Sequence, residues 1–77
     1  MAPPSEPVAE TVSYGNGQVK YDGFRLDGEE HGAWAWYRTD GSVMRTGIFD
    51  RGRQVGTWRT FDRTGRLVKE TRFRDPG

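Results

Sequence analysis

Gly28-Glu29-Glu30-His31-Gly32-Ala33-Trp34-Ala35-Trp36-Tyr37-Arg38-Thr39-Asp40-Gly41 is followed by a second version of itself, Gly52-Arg53-Gln54-Val55-Gly56-Thr57-Trp58-Arg59-Thr60-Phe61-Asp62-Arg63-Thr64-Gly65. A shift of 24 positions lays every glycine of the first stretch on a glycine of the second, Trp34 on Trp58 and Tyr37 on Phe61. The phase extends outward. Val19 falls on Val43 and Leu67, Gly23 on Gly47, and Phe24 on Ile48. Repeats of this length are units that cannot bury an apolar face alone and must stack on their neighbours.

The unit is a pair of strands. Short aromatic or β-branched runs near 19–26, 32–38, 43–50, 56–62 and 67–73 are broken by Gly28, Asp40-Gly41, Gly52 and Thr64-Gly65. Turn residues at this spacing read as hairpins, and glycine recurs too often for a helical stripe. The expected fold is all-β: a single twisted sheet, an antiparallel meander of about five to six strands. Read as a two-residue turn, Asp40-Gly41 sets Trp34 opposite Gly47, with the indole laid over the glycine. Trp34 and Tyr37 are three apart, as are Trp58 and Phe61, so a regular strand sends them to opposite faces. Aromatics are therefore expected on both faces, part of them exposed.

The 77 residues suit one domain with a thin core, since only 32% are hydrophobic and mean hydropathy is −0.91. The ten aromatic residues must carry much of it. Residues 1–12, with three prolines, read as a disordered lead-in. Residues 13–77 then form one repeat domain: a partial copy at 13–18 with a shortened turn, copies at 19–42 and 43–66, and a truncated copy at 67–77. Cysteine is absent, which excludes disulfides and thiolate metal sites. The first dozen residues lack the basic and apolar regions of a signal peptide, and no apolar run is long enough to span a bilayer. A soluble, cytoplasmic chain without membrane contact is the expectation.

Glycines four apart, Trp two later, an aromatic three beyond, Gly after four more and an aliphatic after two: over residues 14–74 this resembles the MORN-repeat-variant family, whose bacterial members are commonly labelled YwqK-type antitoxins. That family's aromatic before the next glycine is matched by Phe49 and Phe73, while Arg25 stands at the first copy and Thr71 replaces a glycine in the last. The resemblance implies a stack of β-hairpins used as an interaction platform, and neutralisation of a toxin partner by direct contact.

No residue pattern calls for catalysis, a cofactor or a metal. His31 is a lone turn residue without a repeated nucleophile beside it, and Asp22, Asp27, Glu29, Glu30 and Asp40 read as turn and edge charge. The chain is therefore expected to be non-enzymatic. Residues 1–42 carry a charge of −4 and residues 43–77 carry +5, so the overall +1 hides a gradient. Two further readings use it. One is a homodimer joined by edge strands and opposite end charges. The other, weaker, is single-stranded nucleic-acid binding by Arg45, Arg51, Arg53, Arg59, Arg63, Arg66, Arg72 and Arg74 among the aromatics.

The main expectation is a protein partner held by an aromatic sheet face built from Trp34, Trp36, Tyr37, Trp58 and Phe61, with Arg45 and Arg59 as polar contacts. Gly23, Gly28, Gly32, Gly41, Gly47, Gly52, Gly56 and Gly65 are its structural glycines. Trp36 is the sharpest candidate, because Thr60 occupies its place in the second copy. Its truncation should spare the fold that Trp34 and Trp58 hold together.

Overall fold

A computed structural model of the chain describes residues 6–73. It is all-β: β1 (Val8–Ser13), β2 (Val19–Leu26), β3 (Glu29–Glu30), β4 (Gly32–Tyr37), β5 (Val43–Asp50), β6 (Arg53–Phe61) and β7 (Leu67–Phe73). They form one antiparallel sheet in the order β1-β2-β4-β5-β6-β7, with β3 paired on β2. Seven strands replace the expected five to six, because β1 and the short β3 also pair. Among the described residues no helix is long and apolar enough to cross a membrane. The sheet measures 48 × 33 × 11 Å, one layer thick.

The lead-in reading of residues 1–12 is corrected from Val8 onward. Val8–Ser13 pairs with β2 from Val8↔Arg25 to Ser13↔Val19, and Glu10 holds the Arg25 guanidinium at 3.0 Å. Three prolines upstream masked a segment that is in phase with β4, Ala9 falling on Ala33. Residues 1–5 and 74–77, Arg74 included, lie outside the described residues. Strand 56–62 also starts earlier than expected, at Arg53.

Turn chemistry differs from expectation at Asp40-Gly41. Arg38 N–H bonds Ser42 C=O and Gly41 N–H bonds Arg38 C=O, so the loop has three central residues, with Gly41 at φ 90°. The Asp40 carboxylate accepts from both the N–H and the hydroxyl of Ser42, a closure that a two-residue turn would not offer. A three-residue loop alone would displace the pairing by one. Met44 absorbs that residue as a bulge: Tyr37 pairs with Val43 but Trp36 with Arg45. Trp34 therefore meets Gly47 in register after all, by two compensating shifts. Lys20 and Val68, each 24 residues from Met44, are skipped in the same way beside the loops at 15–17 and 63–65. The first loop is thus no shorter than the others. Two-residue turns with both central φ positive occur instead at Asp27-Gly28 and Arg51-Gly52.

The indole does not choose the glycine that follows it. Trp34 lies over Gly23 on β2, and Trp58 lies over Gly47 on β5; a Cβ at either glycine would fall inside the ring. Each indole N–H reaches the carbonyl just beyond, Phe24 at 3.0 Å and Ile48 at 3.2 Å. The device is used twice, each time on the preceding strand. Thr71 stands in phase with these glycines, and Trp58, paired beside it, leans the other way over Gly47. Among the described residues the two indoles, at 4% and 3% exposure, are buried together with Leu26 and Val55.

Loops one repeat apart are also stitched together. Tyr14 hydroxyl donates to Tyr37 C=O at 2.9 Å, and the Arg38 guanidinium donates to Phe61 C=O. Tyr14 thus plays the part of Arg38 one repeat earlier.

Gly47→Ala should cost at least about 3 kcal/mol in chemical denaturation, the upper range for overpacking, because the ring above it is locked by its hydrogen bond. Gly15→Ala, where an added Cβ meets nothing within 4 Å, should lie within about 1 kcal/mol of the wild type.

Candidate functional site

Register alone sorts the sequence-predicted residues onto two faces. Tyr21↔Trp36, Trp36↔Arg45 and Arg45↔Thr60 form one row across β2, β4, β5 and β6, beside the row that holds both indoles and their glycines. Strand alternation puts these two rows on one side of the sheet. There the rings make a continuous chain. Trp36 lies 6.0 Å from Trp34 and 5.6 Å from Trp58, and Phe49 meets Trp58 edge-on at 5.0 Å. Tyr21 extends the chain beyond Trp34, and Phe73 extends it beyond Trp58. These offset and T-shaped geometries suit the ring quadrupoles.

Two guanidiniums close over the rings. Arg45 stands 4.7 Å from the Trp58 ring and 5.9 Å from Trp36; Arg25 stands 5.4 Å from Trp34. A cation over an indole face is an attractive arrangement, and Arg45 remains exposed while making it. Trp36 is half-buried. The aromatic face therefore presents an indole edge, a guanidinium and flanking Phe49, whereas Trp34 and Trp58 offer almost no surface to a partner. Those two are corrected from contact residues to core.

Tyr37, Phe61 and Arg59 are not brought to this cluster. Phe61 shares a cleft with Val43 and Thr46 on the opposite side of the sheet, and Tyr37 holds the same place one repeat earlier. Arg59 is exposed there and pairs with Glu70 at 3.0 Å. Aromatics do cover both faces, as the three-residue spacing requires. Sequence reasoning did not place Tyr21, Phe49, Phe73 and Arg25 at the cluster. Positions 25, 49 and 73 are in phase, so the period contained that signal.

His31 and the loop carboxylates of Asp40 and Asp62 have structural partners. His31 Nδ1 accepts the Arg51 N–H at 3.2 Å, and Gly52 N–H donates to Glu30 C=O, which ties the two tight turns together. Among the described residues, no group of three or more His, Cys, Asp or Glu could hold a metal ion. Asp40 and Asp62 are held below the usual carboxylate range, chiefly by the hydroxyls of Ser42 and Thr64 and then by backbone N–H groups. No protein-family model, curated protein or solved structure matches the chain.

The ring geometry revises what Trp36 contributes to stability. Trp34→Ala or Trp58→Ala should cost about 3–5 kcal/mol and unfold the domain in thermal melts. Trp36→Thr, which copies the second repeat, loses contacts with Trp34, Phe49 and Trp58, so about 1–2 kcal/mol is expected instead of none. The loop carboxylates set a pH dependence. Their folded-state pKa is lowered, so their stabilisation is complete above about pH 4 and disappears as pH falls through the lower folded value. Asp62→Ala should accordingly give a flatter stability–pH curve than the wild type below about pH 4.

Proposed function

We propose that this chain is a non-enzymatic protein–protein interaction module of the MORN-repeat-variant type, acting in the cytoplasm and binding a protein partner on its aromatic face. One observation carries the reading. The Trp36 indole and the Arg45 guanidinium sit together at the centre of that face, part-exposed, on a rigid floor of buried rings. Tryptophan and arginine in a well-packed setting are the residue types that dominate binding energy at protein interfaces. A floor stacked ring on ring loses little conformational entropy when a partner docks. The 24-residue repeat and its resemblance support the same reading, and antitoxin-like neutralisation by direct contact is the form of it that the family suggests.

The test is capture from native lysate with immobilised chain in three forms: wild type, Trp36→Thr and Arg59→Ala. A partner retained by wild type and Arg59→Ala but lost with Trp36→Thr is the expected result. Equal capture by all three, or none by the wild type, overturns the proposal. Melts of each variant confirm that it is folded at the temperature used.

A further inference from the structure

The face turned away from the stacked rings is more open, and it is patterned. Asp22↔Ala35, Ala35↔Thr46 and Thr46↔Arg59 form one row across β2, β4, β5 and β6. Beside it lie Phe24, Ala33, Ile48 and Thr57; Ala33 pairs with Ile48, while a bulge in β6 sets Val55 opposite Ile48 and leaves Thr57 next to that pair, and all eight residues line one shallow hollow. Within this second group a bulky side chain on β2 and β5 alternates with a small one on β4 and β6. Phe24 and Ile48 are 42% and 43% exposed, and Val43 and Leu67, near the loop end of the sheet, are exposed at 36% and 46%. Such an uncovered apolar surface on so thin a sheet marks an interaction site.

We infer that a second copy of this chain covers that face, forming a twofold, face-to-face sheet sandwich. The pattern selects both the occupant and the axis. A twofold axis running along the strands between β4 and β5 stacks β2 on β6 of the second copy and β4 on its β5, and leaves each row facing its own equivalent. Phe24 then sits over the small Thr57, and Ile48 over Ala33, so knobs on two strands enter gaps on the other two. Asp22 faces Arg59 of the second copy, twice by symmetry. Among the described residues no hydrogen bond or ion pair engages the Asp22 carboxylate. An axis across the strands would instead set Asp22 against Asp22 and Arg59 against Arg59.

Size fits as well. A sheet of 48 × 33 Å exceeds the about 800 Å² per partner of a standard stable interface. Two such sheets, aligned and about 10 Å apart, make a sandwich with a shared interior. Continuation through the edges is less well provided for. On β1, Glu10 stands in phase with Trp34 and Trp58, and on β7, Thr71 stands in phase with Gly23 and Gly47, so the indole-on-glycine joint has neither half there. The sandwich occupies the face opposite Trp36 and Arg45 and does not depend on the partner reading above.

Sedimentation equilibrium over a concentration series tests it, with four variants. Wild type should sediment at twice its 8.8 kDa mass. Ile48→Glu, a change at an exposed position, should be a monomer with a cooperative melt. Asp22→Arg should weaken the dimer at least about tenfold, by setting like charges face to face. Adding Arg59→Asp to it should restore most of that loss, and restoration keeps the test decisive should Ile48→Glu fail to fold. Trp36→Thr should leave the dimer unchanged. Wild type that is monomeric at every concentration overturns the inference. So does a dimer that withstands Ile48→Glu and Asp22→Arg, or one that dissociates with Trp36→Thr.

Discussion

An indole lying flat on a glycine of the preceding strand is the joint on which this sheet depends. A single layer has no second sheet against which to bury its side chains. Its deepest interior is the space between a ring and the backbone beneath it. Glycine supplies that space, and its usual weakness inside a strand is offset by the ring that covers it. The indole N–H then bonds the next carbonyl, so the ring has one seat and one orientation. Repeated at Trp34 and Trp58, the joint locks β4 to β2 and β6 to β5, and the remaining rings stack on the two that are seated.

Much of this was legible in the residues because the period forces it. Twenty-four residues separate equivalent positions, so the strand pairs, the structural glycines and the sharing of aromatics between faces follow from sliding the sequence along itself. The choice between Gly23 and Gly47 under Trp34 was not legible. Both flank Trp34 in the register, one on each side, and only the side chain's rotamer selects the earlier strand. The Asp40-Gly41 loop was misread for a related reason. Asp-Gly does form a two-residue turn at Asp27-Gly28, but at 40–41 the Ser42 N–H and hydroxyl draw the carboxylate into a longer closure, and a bulge at Met44 hides the change from the register.

Composition misled at β1. Prolines and glutamates signal an unstructured segment, yet one strand width of Val8–Ser13 is enough to cover the edge of β2, and Glu10 gains Arg25 in doing so. Of the residues expected to meet a partner, Trp34 and Trp58 turned inward for the same reason that made them conspicuous. The sheet needs them. Trp36 and Arg45 are left as the adaptable pair on the ring-covered side, and Phe24 and Ile48 as the apolar ridge on the other. A chain with so little interior has two faces in solvent, and the division of labour proposed for them follows from that thinness.

The seat of the indole is most directly measured by proton NMR of the wild-type chain. Glycine Hα protons beneath an aromatic ring are shifted upfield by its ring current and show cross-relaxation with its protons. Gly47 should carry this shift with contacts to Trp58, and Gly23 with contacts to Trp34. Contacts from Trp34 to Gly47 in place of Gly23, or glycine Hα resonances at ordinary positions, would contradict the account.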